Sequence, residues 1–219
     1  MRLVLNEITK EFKGTTVLRN ISMEVHGGIV CGIQGINGSG KTMLLRVMAG
    51  LLIPTNGTIY FENDLREKKT LDNCNIGALI EKPAFLDFYT GLQNLKLLAS
   101  IRGNISEKEI YEVLKRVNLD FRDKRKFKKY SMGMKQKLGI ASAIMEKPSI
   151  ILLDEPTNGL DFLSLNMLEK IICEEKSRGA IVVITSHDIK FLERCCEKVY
   201  DIQQGNITAA RSIYEEKII

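Results

Sequence analysis

The stretch that decides the fold of this chain is Gly35-Ile-Asn-Gly-Ser-Gly-Lys-Thr42. An apolar run at residues 29–33 precedes it, and residues 43–48 follow it with the apolar spacing of a helix. A strand, a glycine turn and a helix are the context in which the pattern G-x-x-x-x-G-K-S/T binds phosphate. The stretch therefore predicts a phosphate-binding loop, and a glycine-rich turn that binds nothing is the alternative.

The residue types in this loop each have a chemical task. Glycine lets the backbone approach a ligand closely, so that successive N–H groups and the N-terminus of the following helix face an anion. We expect a nucleotide polyphosphate there, with the Lys41 ammonium on its β- and γ-phosphates and the Thr42 hydroxyl on Mg²⁺. The predicted nucleotide contacts in the loop are Gly35, Asn37, Gly38, Ser39, Gly40, Lys41 and Thr42.

The composition is that of an ordinary globular protein. The 219 residues are 44% hydrophobic and 27% charged, and a chain of this size buries a core without disulfides or metals. We expect a single domain over residues 1–219. The sequence contains no apolar run of about 18 residues and no leader-like pattern at its start, so we expect a soluble protein that stays in the cytoplasm.

The cysteines predict neither a disulfide framework nor a zinc site. Their number is odd, and no C-x-x-C spacing or histidine cluster accompanies them. We therefore expect reduced thiols that lie mostly in the core. These thiols belong to Cys31, Cys74, Cys173, Cys195 and Cys196.

Part of the net charge of +5 is concentrated in one short segment. A solvated loop is the first expectation for this segment, and attraction to ATP or to an anionic membrane surface is the alternative. Its basic residues are Arg122, Lys124, Arg125, Lys126, Lys128 and Lys129.

Alternating segments rich in β-formers open the chain. Residues 3–10 and 17–25 predict a hairpin around a turn at residues 13–14, and residues 57–61 predict a third antiparallel strand. We expect this small sheet beside the nucleotide. Phe12, at the end of the first strand, is predicted to stack on an adenine ring, and a place in the core is the alternative.

The periodicity becomes helical between about residues 88 and 145. Residues 106–109 form a capping box, and apolar residues follow it at helical spacing. We therefore predict an α-helical lobe, at about residues 82–145, that is inserted into the nucleotide-binding core.

The core resumes after the lobe with strands and helices in alternation. A buried strand at 149–153, a helix at about 162–177 and a second buried strand at 180–185 predict a parallel sheet with right-handed crossovers. A last hairpin is predicted at 199–207. The predicted fold class is α/β: a P-loop NTPase core with a mainly parallel sheet, an antiparallel β subdomain and the inserted helical lobe.

Three polar residues stand where the apolar strands end. Asp154 and Glu155 follow one strand and His187 follows the next, at the edge where open α/β sheets bind ligands. We expect Asp154 to hold Mg²⁺, Glu155 to take a proton from water, and His187 to bind the γ-phosphate or orient Glu155. A helix N-cap for the acidic pair and a plain surface or core histidine are the alternatives.

Five motifs in order make the chain resemble the ATP-binding-cassette (ABC) ATPases along nearly its whole length. These motifs are residues 35–42, Tyr130–Gln136, Ile150–Glu155, Asn158–Asp161 and His187. The resemblance implies Phe12 as the adenine-stacking aromatic, Asp154 as the Walker B aspartate and Glu155 as the catalytic base. It also implies Asp161 as a dimer-interface aspartate and His187 as the switch histidine.

The resemblance further implies a division of labour between two subunits. In such ATPases, Ser131 and Gly133 of one subunit would complete the ATP site of the other. Two ATP molecules would then be sandwiched in a head-to-tail dimer.

The chain departs from the family pattern at two places. The usual Leu-Ser-Gly-Gly-Gln signature is altered by Tyr130, Met132 and Met134, and Glu81 stands where most members carry a glutamine. A glutamate there, with the signature Ser-x-Gly-Met-Lys-Gln, is similar to exporters that confer bacitracin resistance or immunity to lantibiotic peptides. We expect the Glu81 carboxylate to approach Mg²⁺ and the attacking water.

These observations predict the ATP-binding and ATP-hydrolysing subunit of a membrane ABC exporter, with a peptide antibiotic or bacteriocin as the expected cargo. Its cofactors would be ATP and Mg²⁺, and its partners a second ATPase subunit and separate transmembrane permease subunits, with no nucleic acid. The chain would then be peripheral on the inner face of the membrane. A soluble ATP-switched protein acting on nucleic acid or the ribosome is the alternative, and an inactive regulatory cassette is disfavoured because Lys41, Asp154, Glu155 and His187 are all present.

Overall fold

In the computed structural model, residues 1–63, 67–71, 74–103 and 105–213 are described. Within these ranges the strands are β1 Arg2–Phe12, β2 Thr15–His26, β3 Val30–Gln34, β4 Asn56–Glu62, β5 Lys68–Lys69, β6 Ile76–Leu79, β7 Ile150–Asp154, β8 Ile181–Ser186, β9 Lys198–Gln203 and β10 Asn206–Ser212. The α-helices are α1 Lys41–Met48, α2 Gly91–Arg102, α3 Glu107–Arg116, α4 Met132–Ile144, α5 Phe162–Ser177 and α6 Ile189–Cys195. None of these helices, in the part of the chain that is described, has the length and apolar character that a bilayer crossing requires.

The strands of the larger sheet end at the motif residues. Its strand order is β10-β9-β3-β8-β7-β6, with β9, β3, β8, β7 and β6 parallel and β10 antiparallel to β9. Every residue of β7 and β8 is buried, as in parallel strands that are covered on both faces. Because the strands are parallel, Gln34, Asp154 and Ser186 end at the same edge of the sheet.

The smaller sheet is antiparallel and has the order β2-β1-β4-β5. Lys13 and Gly14 form the β1–β2 turn with φ of 45° and 80°, and such left-handed values favour glycine. Apolar residues of this sheet, among them Leu3 and Ile21, share one buried cluster with Ile33 of β3 and Leu44 of α1. The helix that follows the glycine loop therefore packs against both sheets.

The helices α2, α3 and α4 form the lobe between β6 and β7. Thr90 and Ser106 begin α2 and α3 with capping boxes, which satisfy N–H groups of the first turns. The apolar face of α3, with Ile110 and Leu114, is buried in the core cluster of the lobe. Helix α4 packs on β6 and β7, so the lobe is joined to the edge of the larger sheet.

Most predicted elements are confirmed. The first hairpin, the third antiparallel strand, the capping box at residues 106–109, the two buried strands and the last hairpin are all present, and α5 has the predicted bounds of 162–177. The sequence analysis missed β6, which completes the parallel sheet, and the seven-residue helix α6.

The expectation that the cysteines lie mostly in the core is only partly right. Cys31 and Cys196 are buried, Cys74 and Cys195 are half-buried, and Cys173 is exposed. All five are free thiols. Burial raises the pKa of Cys31 to about 12, and it raises the pKa of Cys195 to about 12 as well. These two thiols are therefore poor nucleophiles.

The basic segment is mostly solvated, in line with the first expectation. Arg122 lies 3.4 Å from the carboxylate of Asp120, and Arg125 lies 2.7 Å from that of Asp123. These local ion pairs neutralise part of the positive charge of the segment.

Candidate nucleotide-binding site

The glycine loop joins β3 to α1 and is shaped by close backbone contacts. A Cβ atom at Gly35 would lie 2.5 Å from both the Ile202 carbonyl oxygen and Ser39 Oγ, so only glycine fits there. Gly40 precedes α1 with φ of 112° and provides no side-chain cap. The N–H groups of the first turn of α1 are therefore left to a ligand.

A turn near residue 205 supports the loop from behind. The N–H of Gly205 donates to the Ser39 carbonyl oxygen at 2.9 Å, and the Gly205 carbonyl accepts from the N–H of Arg19 at 2.8 Å. The turn between β9 and β10 is thus held between the loop and β2. Together these segments line a cavity of 590 Å³.

The Lys41 ammonium lies inside the loop. Its Nζ donates to the carbonyl oxygens of Gly35 at 2.6 Å and Ile36 at 3.2 Å, and it lies 3.4 Å from Glu155 Oε1. The side chain is 6% exposed. A buried ammonium attracts a phosphate oxygen, and here the phosphate would compete with the nearby Glu155 carboxylate.

Asp154 is buried at the end of β7 and accepts hydrogen bonds from three segments. The hydroxyl of Thr42 donates to Oδ2 at 2.8 Å, and the hydroxyl of Thr185 donates to Oδ1 at 2.6 Å. The N–H of Glu81 donates to Oδ2 at 3.3 Å. A hydroxyl and a carboxylate side by side form the hard oxygen donor set that suits Mg²⁺, so the residues present fit this ion.

Glu155 is oriented by the next strand. Its backbone has φ of 45°, and its N–H donates to the hydroxyl of Thr185 at 3.0 Å. Its Oε2 lies 2.8 Å from His187 Nδ1. Its Oε1 and Ser39 Oγ are the buried side-chain polar atoms, among the described residues, that have no hydrogen-bond partner. Both border the glycine loop, where a polar ligand and its water would satisfy them.

Sequence reasoning missed two residues of this site. Thr185 is fully buried and bridges Asp154 and Glu155 through one hydroxyl, and Gln136 of α4 donates from Nε2 to the Glu155 carbonyl at 3.3 Å. The pairing of β7 with β8 sets Asp154 opposite Thr185. A polar residue near the end of an otherwise apolar strand was the available signal for Thr185, whereas nothing in the sequence indicated the contact of Gln136.

Phe12 lies apart from the loop cavity. The residue is 44% exposed, the Lys10 ammonium lies 5.0 Å from the ring centroid, and Phe12 is not among the residues that line the cavity. The neighbouring residues Thr15 and Thr16, at the start of β2, do line that cavity. The stacking of Phe12 on adenine therefore stays a prediction.

The backbone N–H of Glu81 contacts the carboxylate of Asp154. The φ of Glu81 is 62°, and while its N–H meets Asp154, its Oε1 lies 2.6 Å from the guanidinium of Arg46. A second cavity, of 790 Å³, opens beside it and is also lined by Thr42, Asp154 and Glu155. Coordination of Mg²⁺ by the Glu81 carboxylate also stays a prediction.

The signature segment leads into α4, and Ser131 and Met132 within it are exposed. Ser131 is exposed and caps α4 by accepting from the N–H of Met134 at 3.2 Å. Gly133 packs so closely on Gly159 that a Cβ would lie 2.8 Å from its carbonyl oxygen. Neither Ser131 nor Gly133 lines the cavity of 590 Å³ or the cavity of 790 Å³.

Tyr130 explains one departure from the usual signature. Its side chain is buried, and its hydroxyl accepts from the N–H of Gly91, the first residue of α2, at 3.1 Å. A leucine has no group for this hydrogen bond. The phenol therefore ties the beginning of α2 to the segment that precedes α4.

Asp161 caps α5 and is exposed. Hydrogen bonds from the hydroxyl and the N–H of Ser164 hold the pKa of Asp161 below its usual range. Its carboxylate accepts from the N–H of Ser164 at 2.8 Å. The side chain is thus fixed as an anion at the surface.

Comparison with known proteins identifies the family. Residues 18–158 match the family described as ABC transporter, and the chain belongs to this family. The ABC transporter ATP-binding protein YybJ of Bacillus subtilis is 40% identical over 214 residues, which cover 98% of each chain. The bacitracin transport ATP-binding protein BcrA of Enterococcus faecalis is 34% identical over 95% of this chain and 68% of its own.

Two further comparisons agree with this assignment. The lantibiotic transport ATP-binding protein SrtF of Streptococcus pyogenes is 36% identical over 94% of this chain and 88% of its own. Among solved structures, the dimeric bacterial ABC transporter cassette MJ0796 is 27% identical with a TM-score of 0.83, over 96% of this chain and 98% of its own. The fold is therefore that of an ABC ATPase cassette, as the sequence predicts.

Proposed function

We propose that this chain binds and hydrolyses ATP with Mg²⁺ and thereby powers a membrane exporter. The single observation that carries the proposal is the linked set of hydrogen bonds from Thr42 through Asp154 and Thr185 to Glu155. This set joins the start of α1, which follows the glycine loop, to a metal-type donor pair and a carboxylate base at the ends of β7 and β8. Such an arrangement serves phosphoryl transfer to water.

The nucleotide would be held mainly by the loop. The N–H groups at the start of α1 and the Lys41 ammonium would bind the phosphates, and Thr42 and Asp154 would hold Mg²⁺, which neutralises phosphate charge when bound. Phosphate would compete with Glu155 for Lys41, because the two lie 3.4 Å apart. Binding would then release the Glu155 carboxylate from this cation.

Glu155 is the proposed base. Once free of Lys41, its carboxylate accepts a proton from the attacking water. The imidazole of His187, 2.8 Å from Oε2, keeps the carboxylate turned toward the reaction site. Thr185 fixes the backbone of Glu155 from the other side.

A second copy of the chain is the proposed partner at the nucleotide. Ser131 and Asp161 are exposed, Gly133 is half-buried, and all three lie outside the loop cavity of their own chain, which suits contacts to the nucleotide of a facing subunit. The solved cassette MJ0796 is a dimer. Adenine stacking by Phe12 and a metal contact by Glu81 belong to the same proposal.

The proposed cargo is a peptide antibiotic. BcrA is named for bacitracin transport and SrtF for lantibiotic transport, and both names support an exporter over a protein that acts on nucleic acid. Separate permease subunits would provide the path through the membrane and would hold this chain at its inner face. The segment from Glu81 to Phe88, at the junction of sheet and lobe, would transmit the nucleotide state to the permease.

Nucleotide binding and hydrolysis by the purified chain test the enzymatic part. Lys41→Ala should weaken ATP binding by about 10- to 100-fold, because charge-assisted hydrogen bonds to phosphate are lost. Glu155→Gln should keep ATP bound and slow hydrolysis by about 10²- to 10⁴-fold. Lys124→Ala, which removes a lysine from the exposed basic segment, is the matched control. Normal hydrolysis by Glu155→Gln would show that another group is the base.

Growth of the host in peptide antibiotics tests the exporter part. Cells that lack this chain should be more sensitive to bacitracin or to a lantibiotic, and the wild-type chain should restore resistance while Glu155→Gln should not. Equal sensitivity of all three strains to both classes of peptide would contradict the proposed cargo. The biochemical result for ATP would stand independently of this outcome.

A further inference from the structure

Arg46 lies beside the proposed metal site without touching it. Thr42 and Arg46 are four residues apart on α1 and therefore lie on one face of the helix. Thr42 bonds Asp154, whose Oδ2 also accepts from the N–H of Glu81. Arg46 reaches the side chain of the same Glu81 at 2.6 Å. Helix α1 is thus linked to the segment after β6 in two ways. Thr42 and Glu81 both bond to Asp154, and Arg46 pairs directly with Glu81.

The ion pair decides where the charge of Glu81 is located. The left-handed backbone of Glu81, with φ of 62°, keeps its N–H on Asp154, so rotation of the side chain is the remaining freedom. The side chain is 54% exposed and that of Arg46 is 36% exposed, so neither is locked by packing. Without Arg46, the carboxylate would be free to turn toward the cavity that Thr42, Asp154 and Glu155 also line.

We infer that Arg46 is a positioning residue that holds and neutralises the Glu81 carboxylate, so that this glutamate does not repel the γ-phosphate before the metal arrives. The inference rests on the proposed function. The arginine and glutamate pair is neutral as a whole, as a glutamine would be, yet it keeps a carboxylate available to a metal. An unpaired carboxylate would instead oppose the phosphates and attract Mg²⁺.

This arrangement predicts two effects of opposite sign in Arg46→Gln. Affinity for ATP in EDTA should fall about three- to tenfold at low ionic strength, because the Glu81 carboxylate, freed from Arg46, would repel the phosphates. The effect is modest because water and salt screen this repulsion. The gain in affinity on adding Mg²⁺ should become larger than in the wild type. A general disturbance of the site would weaken binding under both conditions. Arg46→Lys, which keeps the charge, should behave as the wild type.

The same measurement in a Glu81→Gln background isolates the pair. There Arg46→Gln should change the affinity for free ATP less than about twofold and should leave the gain from Mg²⁺ unchanged. Arg122→Gln, which breaks the exposed pair with Asp120, controls for loss of one positive charge. Equilibrium dialysis of ATP against each purified chain measures all of these affinities.

Three distinct results would overturn the inference. Equal effects of Arg46→Gln in the wild-type and Glu81→Gln backgrounds would mean that the arginine acts only through its own charge. Loss of affinity in EDTA and in Mg²⁺ alike, without recovery in Arg46→Lys, would assign it a structural part only. If the wild-type chain and Lys41→Ala both fail to bind ATP, the proposed function falls and the inference falls with it.

Discussion

Thr185 has two hydrogen-bonding roles in the site. Its hydroxyl donates to Asp154 and accepts from the N–H of Glu155, and the residue is fully buried at the end of β8. One hydroxyl therefore fixes both carboxylate residues with respect to the sheet. Removal of this hydroxyl takes the donor from Asp154 Oδ1, whereas the N–H of Glu155 keeps its hydrogen bond to the Thr185 carbonyl oxygen at 3.1 Å. A buried acceptor without its donor costs more than a lost surface hydrogen bond.

Replacement of Thr185 by valine tests this role. Thr185→Val keeps the shape of the side chain and removes the hydroxyl, so we expect the free energy of unfolding to fall by about 1–3 kcal/mol. Hydrolysis of ATP should fall as well, because Asp154 loses the donor to its Oδ1 and Glu155 loses one of the two oxygen atoms that its N–H meets. Urea denaturation and an ATPase assay measure the two effects. Thr185→Ser, which restores the hydroxyl, should recover most of both, and an unchanged midpoint in Thr185→Val would contradict the argument.

Two helices of the lobe meet through Tyr130. Its buried hydroxyl accepts from the N–H of Gly91 at the start of α2, and α4 begins two residues after it. Tyr130→Phe should lower the free energy of unfolding by about 1 kcal/mol, because the N–H of Gly91 loses its buried acceptor. Tyr89→Phe, at an exposed tyrosine, is the matched control and should change stability little. If the two variants unfold at the same urea concentration, the hydroxyl of Tyr130 adds nothing.

The same tyrosine should make the lobe sensitive to alkaline pH. Burial raises the pKa of Tyr130 above its ordinary value of 10.0, because the buried phenolate is disfavoured. The resulting stability is fully present below about pH 10 and is lost as the pH rises through the folded-state pKa. Unfolding of the wild type between about pH 8 and pH 11 should show this loss, and Tyr130→Phe should show less of it. Parallel pH profiles of the two proteins would contradict the assignment.

The elements that could be predicted from the sequence are those whose hydrophobic pattern follows directly from their burial. Strands β7 and β8 are apolar up to the polar residues at their carboxyl ends because both faces are covered. Strand β6 escaped prediction because its close packing on α4 demands a small residue: a Cβ at Gly77 would lie 1.7 Å from the Ala143 carbonyl oxygen. Glycine and alanine in a four-residue strand leave little β signal.

The residues of the candidate site also fall into two groups, those that could be predicted from the sequence and those that could not. Local motifs predicted Lys41, Thr42, Asp154 and Glu155, because their spacing reflects chemistry within a few residues. The partnership of Arg46 with Glu81 joins residues 35 positions apart. It depends on how α1 packs beside the end of β6, which no local pattern records.

At the scale of the whole molecule, the proposed head-to-tail dimer makes each nucleotide site a joint product of two chains. Lys41→Ala would disable the loop of its own site, and Ser131→Arg would disable the signature contact to the site of its partner. Each variant alone should be inactive. A mixture of the two should regain part of the activity, because the mixed dimer contains one site with an intact loop and an intact signature.

The ATPase rate of the mixture, compared with that of each variant alone, is the measurement. A mixture of Lys41→Ala with the double variant Lys41→Ala and Ser131→Arg provides the control, since no intact loop is then present. An inactive mixture of the two single variants would argue that loop and signature act within one chain. Without ATP, sedimentation should show mainly monomer, because ATP would join the two facing surfaces.

The bond between Gly205 and Ser39 also bears on how the protein is made. The glycine loop is translated well before the turn that supports it, since Gly205, which follows the loop at a long distance in the sequence, donates to the Ser39 carbonyl. A nascent chain that has not yet emerged beyond residue 205 has its phosphate-binding motif without this backing. Affinity for ATP should therefore rise late in synthesis, when the two antiparallel partners β9 and β10 have folded onto β3. The order in which the segments are translated would thereby limit the binding of ATP to incomplete chains.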